Sequence, residues 1–110
     1  METDIINKIN LELSRKFDDY AGIYFFGSRT TEIFTASSDY DIVIIFTGSD
    51  YEKQMETAGL IARIEYEENI SIDYKILTSG GKRSIDYIRS RVNPVFIQQA
   101  IDKGHYFGRI

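Results

Sequence analysis

Residues 39–47 read DYDIVIIFT, two aspartates bracketing a tyrosine at the head of an unbroken apolar run. Continuous Ile, Val and Phe, without alternating polar residues, marks a central strand covered on both faces. The strand period of two places Asp39 and Asp41 on the same side, where two anions repel each other. Beyond it, residues 51–68 set Met55, Leu60, Ile61, Ile64 and Ala58 as an apolar stripe among charged side chains, which predicts a helix. Ile70 to Leu77 then alternates as a second strand with Asp73 inside it, closed by Thr78-Ser79-Gly80-Gly81. The core of the chain is therefore expected to be a strand, helix, strand unit with carboxylates on both strands.

Upstream, Ile5, Ile9, Leu13 and Phe17 recur every four residues, with Ile6 and Tyr20 beside them and Thr3 or Asp4 as the N-cap. That spacing predicts a helix over 4–19. Gly22 breaks the pattern, and Ile23 to Phe26 reads as a buried strand that stops at Gly27-Ser28. Ser28 can cap a short helical turn from Arg29 to Phe34, followed by a loop through Ser38. Downstream, Ser84–Arg91 reads as a short helix, Asn93-Pro94 opens another that runs to Lys103, and Gly104 ends it. His105-Tyr106-Phe107 adds a short final strand. The sum is a single α/β (α+β) domain over 1–110, a small mixed sheet flanked by helices.

Composition narrows the function classes. At 110 residues, 43% hydrophobic and 27% charged, the chain has the make-up of one globular domain rather than of a disordered segment. Zero cysteines exclude thiolate metal sites, disulfides and a cysteine nucleophile, and a single histidine, His105, excludes multi-histidine metal sites. The longest apolar run is far too short to cross a bilayer, and the amino-terminal residues lack a signal core, so a cytoplasmic protein is expected. A net charge of -4 opposes the phosphate attraction on which binders of long nucleic acids depend.

Asp73 either faces outward beside Lys75 or joins Asp39 and Asp41 from a neighbouring strand. In the second case three carboxylates converge, an arrangement that requires a cation; oxygen-only ligation suits Mg²⁺ or Mn²⁺ completed by water and phosphates. Gly27-Ser28 offers close backbone approach, a hydroxyl donor and N–H groups at a helix start, the components of a phosphate cradle. Arg29 is placed to reach a phosphate, as are Lys82 and Arg83, though all three also suit a solvated surface. Ser38 suits a capping role beside Asp39, and His105 a structural one.

Gly27-Ser28, ten intervening residues, Asp39-Tyr40-Asp41 and a later Asp73 together resemble the nucleotidyltransferase superfamily of DNA polymerase β. Within it the short spacer and Arg29 are most similar to the minimal nucleotidyltransferases (MNT), the antitoxin halves of HEPN/MNT toxin–antitoxin pairs. The resemblance implies metal aspartates on adjacent strands: Asp39 and Asp41 for two Mg²⁺ ions, Asp73 completing the catalytic site and assisting deprotonation, Gly27, Ser28 and Arg29 on the triphosphate of ATP. It further implies transfer of AMP to a hydroxyl, a tyrosine of a partner HEPN toxin, within a hetero-oligomer or homo-oligomer. Two other readings fit the same residues: an antitoxin that neutralises by binding alone, and a transferase acting on a small cationic drug of the aminoglycoside type. The eight tyrosines and seven phenylalanines are expected mostly in the core, with a surplus available for a partner surface.

Overall fold

The computed structural model describes residues 3–26, 40–48, 51–78 and 104–110. The elements run α1 (Asp4–Lys16), β1 (Tyr20–Phe26), β2 (Tyr40–Phe46), α2 (Tyr51–Glu68), β3 (Ile72–Thr78) and β4 (His105–Gly108). The strands form one mixed sheet in the order β3-β2-β1-β4. β1 pairs antiparallel with both β2 and β4, whereas β2 and β3 run parallel, joined through α2. The expected turn from Arg29 to Phe34, the helices over 84–103, and Gly27, Ser28, Arg29, Ser38, Asp39, Lys82 and Arg83 lie outside the described residues.

Both described helices contribute to one core. Ile6, Ile9 and Leu13 from α1 and Leu60, Ile61 and Ile64 from α2 meet Ile23, Phe25, Tyr40, Ile42, Ile44, Phe46 and Ile72 of the sheet. A second cluster, Tyr24, Phe26, Val43, Ile45 and Leu77, occupies the opposite sheet face and includes no residue of α1 or α2. The two clusters alternate along β1 and β2, as the pleat demands, and together they explain the continuous apolar run of 42–46.

Several details differ from the sequence reading. α1 ends at Lys16, one turn short of the expected 19, because Phe17 is already extended (φ -124°, ψ 124°). Its ring and that of Tyr20 pack edge-on against Phe46, at 5.3 and 6.0 Å between centroids. Carbonyls of the last helical turn and of the connection to β1 are taken up from far along the chain, where the Arg109 guanidinium donates to Ser14 O at 3.0 Å, Phe17 O at 2.5 Å and Tyr20 O at 3.2 Å. β1 begins at Tyr20 and contains Gly22, which had read as a break; it is instead a bulge site paired with Gly108. Met55, expected in the core stripe of α2, is exposed, and Thr57 is buried in its place, since 57, 60, 61 and 64 share one face of the helix. α2 stops where Asn69 adopts a left-handed conformation (φ 54°) and Ile70 N–H donates to Glu65 O at 3.1 Å, a Schellman-type end.

β4 is fastened by polar groups inside the fold. Tyr20 donates its hydroxyl to Asn10 Oδ1 at 2.5 Å, and Asn10 Nδ2 donates to Gly108 O at 2.9 Å. Burial pushes the Tyr20 phenol well above its ordinary range, so it remains a donor throughout physiological pH. Tyr106 lies over Gly22, donating to Ala21 O at 3.1 Å. No described helix is long and apolar enough to cross a membrane.

Asn10→Ala is expected to cost about 2 kcal/mol of stability, because it strands the buried Tyr20 hydroxyl and the Gly108 carbonyl together; chemical denaturation measures this. Gly22→Ala is expected to destabilise by about 1–3 kcal/mol, since the added Cβ would sit 2.5 Å from Tyr106 Oη and 2.8 Å from Phe107 O. Thermal melting of Gly22→Ala with and without Tyr106→Ala checks the cause: removing the ring should recover only part of the loss, as the Phe107 carbonyl still obstructs.

Candidate active site

The alternation along β2 is anchored by the tyrosine between the two aspartates. Tyr40 is 1% exposed and stacks on Phe25, with centroids 5.9 Å apart and 23° between the rings, on the helix side of the sheet. Its neighbour Asp41 must then project from the opposite face, the one that carries Val43 and Ile45. On β3 the same logic holds, because Ile72 and Tyr74 pack into the helix-side core and leave Asp73 between them on the other face.

Register brings the two carboxylates together. Asp41 is the direct partner of Asp73 across the parallel β2–β3 pair, and on its other side Asp41 is the partner of Phe26. Adjacent strands lie about 4.8 Å apart, so one row across the sheet runs Phe26, Asp41, Asp73. Phe26 is the residue immediately before Gly27 in sequence, and Tyr40 the one immediately after Asp39. The row thus sits at the strand ends from which both flanking motif segments depart.

Two hydrogen bonds fix this register at its open end. Tyr40 N–H donates to Ser71 O at 2.9 Å, and Ile72 N–H donates to Glu65 Oε2 at 2.9 Å. Glu65 therefore ties the last turn of α2 to the residue preceding Asp73. Sequence reading assigned no role to Glu65 and gave Tyr40 only a place among the core aromatics. Tyr40 was legible as the inward residue of an alternating D-x-D, whereas a contact between 65 and 72 across a helix end carries no local signal.

Asp73 is exposed and Asp41 half-buried. Asp73 and Lys75 are both exposed on the same face of β3, and Asp73 forms no ion pair with a described residue. Two oxygen-donor side chains in register on one sheet face fit a hard divalent cation and no soft one. Among the described residues no three acidic or histidine side chains converge; the third expected member, Asp39, and the phosphate-side residues Gly27, Ser28 and Arg29 lie outside them. His105 stands on β4, partnered with Phe25, two strands from Asp41, and takes no part in the row.

No protein of curated function matches the chain significantly. Among solved structures it is similar to a toxin–antitoxin complex determined with AMP-PNP, at TM-score 0.63 and 18% identity over 96% of this chain and 72% of that one. The MntA–HpeT toxin–antitoxin complex carrying two aspartate-to-glutamate substitutions gives TM-score 0.63 and 17% identity, with the same coverage. The MNT antitoxin bound to the tri-AMPylated HEPN toxin of Shewanella oneidensis gives TM-score 0.60 and 20% identity over 96% of this chain and 71% of that one. At such identities the likeness is one of fold. The profile of the polymerase β nucleotidyltransferase domain matches residues 7–107, which encompasses every strand but the last residue of β4 and both motif segments, and on that match the chain belongs to the polymerase β nucleotidyltransferase family.

Proposed function

We propose that this nucleotidyltransferase is metal-dependent and moves AMP from ATP to a tyrosine hydroxyl of a HEPN-type partner, acting as its antitoxin. The observation that carries the reading is the in-register pairing of Asp41 with Asp73 at the strand ends adjoining Gly27 and Asp39. The AMP-PNP and the tri-AMPylated HEPN toxin in complexes of the same fold support ATP as donor and a HEPN protein as acceptor.

Asp39, Asp41 and Asp73 would hold Mg²⁺, and Gly27, Ser28 and Arg29 the phosphates of ATP. A divalent cation held there would supply Lewis-acid chemistry, favouring the ionised acceptor hydroxyl and offsetting charge on the pyrophosphate. The residues of the chain supply position. Asp73, exposed at the edge of the described sheet, is open to an incoming tyrosine and accepts its proton as the hydroxyl oxygen bonds to the α-phosphorus. The bond from that phosphorus to the bridging oxygen breaks, and pyrophosphate leaves with the electron pair. Neither cysteine nor histidine is needed, because alignment and electrostatics account for most of the acceleration in such displacements. The single-domain extent, 1–110, is part of the same proposal, as is a cytoplasmic site of action beside the partner.

Intact-mass analysis of the chain purified with its partner, after incubation with ATP and Mg²⁺, is expected to show whole AMP increments on the partner. Asp41→Asn should reduce the rate of that transfer at least roughly 100-fold, about 3 kcal/mol of transition-state stabilisation, while leaving the complex intact. An unmodified partner that is nonetheless neutralised would instead establish inhibition by binding alone. Chelation of divalent metal is expected to stop transfer and added Mg²⁺ or Mn²⁺ to restore it, followed by the release of pyrophosphate; transfer that persists in chelator would refute metal dependence.

A further inference from the structure

α2 presents a second apolar face that nothing in the described chain covers. Its inner side buries Thr57, Leu60, Ile61 and Ile64. On the outer side Tyr51, Met55, Gly59, Ala62 and Tyr66 follow one another at spacings of four, four, three and four, within an arc of about 80° at 3.6 residues per turn. Tyr51 is 77% exposed, Met55 55% and Tyr66 90%. Gly59 and Ala62 are exposed as well. Large apolar side chains at such exposure, aligned over about 22 Å of helix, mark an association surface.

The stripe is symmetric about its centre. Tyr51 and Tyr66 stand equally far from the midpoint between Ala58 and Gly59, and so do Met55 and Ala62. An antiparallel partner of identical sequence therefore sets Tyr51 against Tyr66, and the long Met55 over the short Ala62, at both ends. Gly59 falls at the crossing point. A Cβ there would meet nothing within 4 Å inside the chain, so its own fold does not call for glycine at a mid-helix position that glycine weakens. Close approach of a second helix backbone does call for it. The flanks agree in charge: Glu56 and Arg63 border the stripe on one side, and the same antiparallel register brings Glu56 of each copy beside Arg63 of the other. Glu12 and Glu67 hold the Arg63 guanidinium at this border, at 2.5 and 2.9 Å.

We propose that the outer face of α2 is a self-association surface, on which two copies of this chain pair their α2 helices antiparallel about a two-fold axis at Ala58–Gly59. Isologous pairing of one patch with itself is the common route to a dimer. One helix pair of this length lies at the small end of specific interfaces, so a weak, concentration-dependent dimer is expected. α2 packs on the sheet face opposite Asp41 and Asp73, so each copy keeps its carboxylate row turned away from the interface, and the dimer offers two outward sites. The proposal is independent of the nucleotidyl-transfer reading.

Sedimentation velocity of the full chain alone, from about 1 to about 300 μM, tests it. The expected result is a monomer that passes to twice its mass across that range. Met55→Lys, at an exposed position that leaves the helical circular dichroism unchanged, should weaken dimerisation at least tenfold. Glu56→Arg should weaken it severalfold, and Glu56→Arg/Arg63→Glu should return it toward the unaltered value. Because the chain has no cysteine, a mixture of Tyr51→Cys and Tyr66→Cys should oxidise to a mixed disulfide in preference to either homodisulfide. A chain that remains monomeric at the highest concentration would overturn the proposal and leave the stripe to a helix of another protein. A dimer that Met55→Lys leaves undiminished would overturn it equally.

Discussion

The register between β2 and β3 is the constraint on which the site depends. Because side chains alternate with a period of two, a slip of one residue would turn Asp73 into the helix-side core and Tyr74 out of it, separating the carboxylates and burying a charge. Tyr40 guards against this from within. Its ring stacks on Phe25 of β1 and fixes which face of β2 turns inward, while its own N–H holds Ser71 O, so the head of β2 cannot move along β3 without losing that bond. Glu65 adds a tether from α2 to the first residue of β3. The chemistry of the D-x-D pattern is thus inseparable from the aromatic residue in its middle, which the packing requires and the reaction does not touch.

Around that register the fold separates duties between two faces. Both described helices pack on one side and close the larger core cluster against the sheet. The other face carries the Phe26, Asp41, Asp73 row at one end. The far edge is closed by β4, held through Asn10, Tyr20 and Arg109 to α1 and to the connection between α1 and β1. Residues ninety positions apart therefore finish each other's hydrogen bonding. A parallel β2–β3 pair needs a crossover, and α2 provides it while spending only one of its sides on the core. That leaves its outer side free to meet another helix without disturbing the carboxylate row.

Much of this was legible beforehand, for identifiable reasons. The apolar run after Asp41 announced a central strand, and the apolar stripe among charged residues placed α2 at its observed limits, 51–68. Asp41 and Asp73 were named from their strand positions, and only their adjacency required the structure. What escaped was non-local. Phe17 continues the four-residue rhythm of α1, and nothing nearby reveals that Arg109 will collect carbonyls of the last helical turn and of the connection that follows. Gly22 looks like a break until Tyr106 and Gly108 are brought against it. Met55 was assigned to the core because it is apolar, although its angular position sets it with Tyr51 and Tyr66.

The central claim, that Asp41 and Asp73 act as one unit on one metal–nucleotide complex, is tested most directly by a double-mutant cycle. Binding of Mg²⁺ with a non-hydrolysable ATP analogue would be measured calorimetrically for the unaltered chain, Asp41→Asn, Asp73→Asn and the double variant. The account predicts strong non-additivity, the double variant binding scarcely more weakly than either single one, because the first loss already dismantles the shared site. Additive losses, or affinity that ignores both substitutions, would contradict it.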